Sequence, residues 1–155
     1  MSALAIGDDI PAGTLADADG AEIDLKALKG APLVVYFYPK ADTPGCTTEA
    51  QDFTRLAPDF AHLNAQVIAV SRDAPAKLCK FRDKYGLTVR LASDEDGSVC
   101  EAFGTWVEKQ NYGRTYMGIE RSTFLFGADG KLAREWRKVR VKGHADAVLE
   151  AAKTL

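Results

Sequence analysis

Cys46, within Pro39-Lys40-Ala41-Asp42-Thr43-Pro44-Gly45-Cys46-Thr47-Thr48-Glu49, is the residue of this chain best placed to act as a nucleophile. It falls between a run with the character of a buried strand, Leu33-Val34-Val35-Tyr36-Phe37-Tyr38, and a stretch in which Thr48, Glu49, Phe53, Leu56, Phe60 and Leu63 are spaced as a helix with an apolar stripe. A thiol at such a junction meets unpaired backbone N–H groups and the positive end of the helix dipole, and both favour thiolate over thiol. The spacing puts acidic Glu49 in the first turn, where the dipole favours it. A thiolate formed at neutral pH is the nucleophilic state of cysteine, so the pattern points to thiol chemistry rather than to a cysteine buried for packing.

The elements around this junction alternate between strand and helix, the signature of βαβ units. An N-terminal hairpin is expected around Asp19-Gly20, with Thr14 to Ala16 on one side and Glu22 to Leu25 on the other. Pro58 falls inside the helical pattern and predicts a break near Leu56-Ala57. Residues 66–70 read as a second buried strand, Pro75 opens a helix to about Tyr85-Gly86, Arg90 to Ser93 is a short strand, and a short helix from Ser98 to Phe103 is closed by Gly104. Residues 106–118 show no clear period and are expected to be a loop. Ser122 to Phe126 and Leu132 to Val139 flank Asp129-Gly130 as a hairpin, and Ala145 to Leu155 closes the chain as a helix.

At 155 residues, 46% hydrophobic and 27% charged, with no repeat or linker, a single domain spanning 1–155 is expected. A net charge of -2 supplies no basic field for nucleic acid or anionic membrane. The first residues lack the basic and apolar regions of a secretory signal, and no segment approaches a membrane span. Three cysteines with no disulfide framework fit a reducing compartment, so a cytoplasmic location is expected. His62 and His144 are far apart and lack neighbours at ligand spacing, so neither a metal nor a cofactor is expected. Trp106 and Trp136 read as packing residues, and Asp94-Glu95-Asp96 as a solvated turn and cap.

Pro39-x-x-x-Thr43-x-x-Cys46, followed by Gly118-Ile119-Glu120-Arg121-Ser122-Thr123-Phe124, resembles the peroxiredoxins, in particular the bacterioferritin comigratory protein or peroxiredoxin Q subfamily. The resemblance covers nearly the whole chain. It implies an α/β thioredoxin-like fold in its peroxiredoxin variant, with an added N-terminal hairpin and an inserted helix-strand-helix stretch. The activity implied is that of a thiol-dependent peroxidase acting on hydrogen peroxide and organic hydroperoxides, re-reduced by thioredoxin, and many members of the subfamily are monomers.

The chemistry explains the motif. A thiolate attacks one peroxide oxygen, becomes a sulfenic acid and releases water or an alcohol. Cys46 supplies the sulfur; Arg121 is the cation beside it if the strand at 122–126 lies next to that at 33–38. The Thr43 hydroxyl both donates and accepts hydrogen bonds and so suits the peroxide, and Pro39, with no N–H to donate, shapes and shields the pocket. The rival class is a thioredoxin-fold binding or holdase protein without turnover, in which Cys46 would be dispensable. A dithiol oxidoreductase is set aside because Thr43 stands where a Cys-x-x-Cys pair would begin.

Subfamily members that resolve the sulfenic acid within one helix carry a cysteine five residues after the reactive one, and here that position is Gln51. Others place it in the helix equivalent to 75–85, at about the Arg82 position. Cys79 lies one turn away, off the apolar face formed by Leu78, Phe81 and Tyr85, whereas Cys100 between Val99 and Phe103 suits an inert thiol. A Cys46–Cys79 disulfide is therefore expected, with an external thiol as its rival.

Overall fold

The strand that leads to Cys46 is the axis of the architecture. The computed structural model describes residues 4–155. Its first elements are the expected hairpin, β1 (Thr14–Asp17) against β2 (Glu22–Asp24), with Gly20 at φ 86°, a conformation glycine adopts without steric cost. A 3-10 turn, Leu25–Leu28, leads to β3 (Leu33–Phe37), all five residues of which are buried. Next come α1 (Pro44–Arg55) and α2 (Ala57–His62), divided at Leu56 as Pro58 predicts. They are followed by β4 (Gln66–Ser71), α3 (Pro75–Tyr85), β5 (Arg90–Ser93) and α4 (Ser98–Ala102).

Residues 106–118, expected as a loop, instead form a hairpin of β6 (Trp106–Asn111) and β7 (Arg114–Ile119). Tyr112 at φ 51° and Gly113 at φ 75° make the tight turn, positive at both central residues as the twist of a two-residue hairpin requires. Most side chains on both of its faces are exposed, so no apolar alternation marks it in the sequence. β8 (Ser122–Phe126) and β9 (Leu132–Trp136) then pair. β9 ends short of the expected Val139 because Thr123 already faces Trp136 near the start of β8, and the Val139 N–H bonds the Arg121 carbonyl instead. α5 (His144–Ala152) closes the chain.

Among the described residues, seven strands form one sheet in the order β2-β1-β5-β4-β3-β8-β9, with β3 parallel to β4 and antiparallel to β8. Alternation along β3 divides the core. Val34, Tyr36 and Tyr38 face a cluster built with Phe53, Phe60, Phe81 and Val148 of α1, α2, α3 and α5. Leu33, Val35 and Phe37 face a second cluster with Val99, Phe103, Phe124 and Phe126. Cys46 belongs to the first cluster and Cys79 packs at its margin, whereas Cys100 lies in the second, across the sheet. The arrangement is a thioredoxin-like α/β fold with the N-terminal hairpin and the α3–β5–α4 stretch added to its core.

Candidate active site

Two chain segments 75 residues apart meet at the sulfur. In the β3–β8 register Ser122 stands opposite Phe37, so Arg121 lies beside the end of β3, where the chain leaves for α1. Pro44 occupies the first position of that helix, where its fixed φ suits the helix and its missing N–H costs nothing, and this makes Cys46 the third residue. Gly45 between them admits the guanidinium: a Cβ there would come within 3.3 Å of Arg121 Nη2. Arg121 Nη2 donates to Cys46 Sγ at 3.3 Å and Nη1 to Glu49 Oε1 at 2.6 Å.

Glu49 was expected in the first turn of the helix; because α1 begins at Pro44, it sits one turn beyond Cys46 instead. Three residues apart, the two side chains share a helix face, and both meet Arg121. The Glu49 side chain is 1% exposed, and among the described residues its Oε2 has no hydrogen-bond partner. Burial pushes its carboxyl up to about 7 despite the pull of Arg121. Burial works against the charge of Arg121 as well, but Glu49 and Cys46 more than offset it and raise the guanidinium pKa above its usual value. The cation beside the thiol is thus permanent, and its fork is fixed from the far side.

Thr43 is the residue before the helix, yet its side chain caps nothing. Its Oγ1 donates to the Lys40 carbonyl at 2.8 Å, which occupies the hydroxyl proton and leaves the oxygen lone pairs as acceptors. The loop that carries Thr43 is pinned at both ends. The Ala41 N–H donates to Asp73 Oδ2 at 2.8 Å, while Asp42, at φ 62°, accepts from Tyr85 Oη at 2.6 Å and Lys84 Nζ at 2.9 Å. Pro39 follows Tyr38 at the surface and is exposed. The first-turn N–H groups of α1 have no intrahelical partner, and among the described residues no side chain caps them.

The structure therefore brings Cys46 and Arg121 into contact and places Thr43 and Pro39 on the loop before them. It does not bring Cys79 to Cys46: Cys79 Sγ lies 3.3 Å from Arg82 Nη2 and 3.8 Å from Asp83 Oδ2 on α3. Burial pushes the Cys100 thiol well up, and Asp94 adds to the shift. Asp94, expected in a solvated turn, is 2% exposed and accepts from the Val99 and Cys100 N–H groups, because a helix buried at its start needs an acceptor there. Sequence reasoning missed Glu49 as the partner of Arg121, a role its spacing from Cys46 signals. It also missed the buried pair of Thr123 Oγ1 and His144 Nε2 at 2.7 Å, which no local pattern marks. Among the described residues, no group of three His, Cys, Asp or Glu side chains is placed to hold a metal, and no helix is long and apolar enough to cross a membrane.

A thiol held against a guanidinium at an uncapped helix start, with an acceptor hydroxyl on the loop before it, is suited to attack a neutral electrophile that carries a proton and leaves as an anion. Comparison with known proteins agrees. The AhpC/TSA family matches residues 6–135. Peroxiredoxin Bcp of Bacillus subtilis is 45% identical over 152 residues, 98% of this chain and 97% of that one. The solved PrxQ of Xylella fastidiosa, as a cysteine-to-serine variant, superimposes with a TM-score of 0.93 at 39% identity over 99% of this chain and 98% of that one. The bacterioferritin comigratory protein of Xanthomonas campestris, described for its alkyl peroxide reduction activity in trapped intermediate and ligand complexes, gives 0.88 at 43% identity over 95% and 98%. With a family match over residues 6–135 and near full-length likeness to its members, the chain belongs to the AhpC/TSA family and, within it, to the peroxiredoxins, the thiol-dependent peroxidases.

Proposed function

We propose that the chain reduces hydrogen peroxide and small organic hydroperoxides at Cys46, and that thioredoxin or a similar dithiol returns it to the reduced state. The contact that carries this reading is Arg121 Nη2 at 3.3 Å from Cys46 Sγ. The Cys46 thiolate attacks the terminal peroxide oxygen; the S–O bond forms as the O–O bond breaks, and the released hydroxide or alkoxide takes up a proton as water or alcohol. Arg121 and the Gly45 and Cys46 N–H groups steady the charge that moves from sulfur to the departing oxygen. The Thr43 oxygen accepts the hydrogen bond of the peroxide O–H and fixes its approach. Pro39 forms the outer edge of this pocket and adds no N–H that would compete for the thiolate.

Cys79 resolves the sulfenic acid. Its position on the same sheet face as Cys46 supports this, and the placement of Cys100 across the sheet argues against a Cys46–Cys100 link. A thiolate of the dithiol reductant then attacks the Cys46–Cys79 disulfide, and as the reductant's second thiol closes its own S–S bond, Cys46 and Cys79 are released as thiols. The alkyl peroxide reduction described for the Xanthomonas relative supports organic hydroperoxides as substrates. The chain works as one domain over residues 1–155, as a monomer in the cytoplasm, without metal or cofactor.

Stopped-flow consumption of hydrogen peroxide and of a small alkyl hydroperoxide tests the reading. Cys46→Ser is expected to abolish consumption of both, and a thiol-independent holdase role would instead leave Cys46→Ser indistinguishable from wild type in suppressing aggregation while neither protein consumes peroxide.

A further inference from the structure

Cys79 shares one feature with Cys46, a guanidinium against the sulfur, although Cys79 is half-buried in mid-helix and its thiol also points a weak hydrogen bond at Asp83 Oδ2, 3.8 Å away. Arg82, three residues further along α3, holds Nη2 3.3 Å from Cys79 Sγ, the same separation as between Arg121 Nη2 and Cys46 Sγ. As Arg121 is steadied by Glu49, so Arg82 is steadied by carboxylates. Its Nη1 donates to both oxygens of Asp19 at 3.1 Å, in the turn between β1 and β2, and its Nε donates to Asp83 Oδ1 at 3.2 Å. Asp83 and Asp19 together hold the Arg82 pKa above its usual value. At Cys100, the third cysteine, burial and then the Asp94 carboxylate raise the thiol.

We propose that Arg82 is a positioning residue for the second half of the catalytic cycle, orienting the Cys79 thiol and steadying negative charge on its sulfur as it attacks the Cys46 sulfenic acid. The inference rests on the reading of Cys79 as the resolving thiol. In that step the Cys79 thiolate forms the S–S bond, the S–O bond of Cys46 breaks, and hydroxide leaves and takes a proton to become water. No oxidant or reductant beyond the peroxide already consumed is needed.

The placement of the pair also says what must move. Cys79, Arg82 and Asp83 lie on the flank of α3 that reaches Asp19, whereas Lys84 and Tyr85 reach Asp42, on the loop before α1. The resolving thiol therefore faces away from the segment it must reach, and a disulfide needs Cα atoms within about 7 Å. The first turn of α1 must unwind and α3 must shift with its own turn intact before the bond forms. Arg82 belongs to the moving helix and travels with Cys79, while Asp19 stays on the hairpin, and with Asp19 70% exposed their ion pair parts at little cost. The thiol thus carries its own cation into the attack, where Arg121 remains engaged with Glu49.

Rapid mixing with one equivalent of hydrogen peroxide, followed by acid quench and non-reducing peptide mapping, separates the steps. Arg82→Gln is expected to leave Cys46 oxidation within about twofold of wild type and to slow closure of the 46–79 disulfide about tenfold, with Arg82→Lys recovering part of the loss. A second readout reports the charge beside the Cys79 sulfur. In a Cys46→Ser protein, the preference of Cys79 for anionic iodoacetate over neutral iodoacetamide should fall in Arg82→Gln and be restored in Arg82→Lys. If the wild-type protein forms no 46–79 disulfide, the reading of Cys79 as the resolving thiol falls, and this inference with it. If the disulfide forms but closes in Arg82→Gln at the wild-type rate, only the role of Arg82 is overturned.

Discussion

Cys46 and Cys100 occupy the same position in their helices. Each is the third residue, of α1 and of α4 respectively, and each is almost fully buried, at 2% and 0% exposure. Different groups nevertheless occupy the two helix starts, and the proposed role of Cys46 rests on that difference. In α4 the Asp94 carboxylate takes the Val99 and Cys100 N–H groups at 3.2 and 2.7 Å, so the positive end of that helix already faces an anion, and burial drives the thiol towards its neutral form. In α1 no side chain among the described residues caps the N–H groups, Thr43 turns its hydroxyl to Lys40, and a guanidinium approaches the sulfur. A helix N-terminus favours whichever anion is present; in α4 that anion is the Asp94 carboxylate, whereas in α1 the position is open to an anion formed in the proposed reaction.

The largest effect that would break this comparison lies at Arg121. Arg121→Ala should slow first-turnover oxidation about 10²–10³-fold, and Arg121→Lys should be nearly as slow because a single ammonium cannot bridge Cys46 and Glu49 as the fork does. Near-wild-type stopped-flow rates in either variant would mean that the helix start alone activates the thiol. Thr43→Val, which removes the acceptor oxygen and keeps the shape, should slow the same step about tenfold with the fold intact, and Thr43→Ser should be mild. At the other helix, Asp94→Ala should lower the urea unfolding free energy by about 1–2 kcal/mol by uncapping α4. It should leave Cys46 oxidation unchanged, and a matching loss of peroxidase rate would show that the two helix starts are not independent.

The smallest effects are in the pH dependence of stability, where two buried groups give opposite slopes. Between about 4.5 and about 7 the Glu49 carboxyl keeps in the fold a proton that the unfolded chain has released, so its contribution to stability falls as pH rises through that window. His144, pushed down from 6.5 to about 4 by burial and then by Arg121, stays neutral in the fold where the unfolded chain takes up a proton, so its contribution falls as pH drops from 6.5 to 4. In the wild-type protein the two oppose each other over the shared window, and urea midpoints should vary little there. In Glu49→Gln the midpoint should climb from pH 4 to 6.5 and then level; a flat profile in that variant would remove the buried histidine from the account.

What the sequence made legible was local. Pro39 to Glu49 announces a strand-to-helix junction because proline, glycine and a β-branched apolar run each act over a few residues, and the bounds of α3 follow from Pro75 at its start and Gly86, at φ 61°, at its end. Whatever depends on pairing between distant segments was legible only through the resemblance of the motif. Nothing within a few residues of Arg121 says that Ser122 will stand opposite Phe37, and the ion pair with Glu49 follows from that register. The β6–β7 hairpin was missed because residues such as Glu108, Gln110, Thr115 and Tyr116 are exposed and show no two-residue alternation, although Asn111-Tyr112-Gly113 carried a turn signal. The placement of Asp94 was missed for a related reason: an acidic cluster reads as solvated until the helix start it caps is seen to be buried.

The central claim is that the groups facing a sulfur, rather than its place at a helix start or its burial, decide which thiol reacts. The most direct test is one equivalent of hydrogen peroxide added to Cys79→Ser protein in the presence of a sulfenic-acid-trapping diketone, followed by peptide mapping of Cys46 and Cys100. The adduct is predicted on Cys46 alone, with Cys100 recovered as a free thiol; adducts on both cysteines at comparable yield, or on Cys100 in preference, would contradict the account.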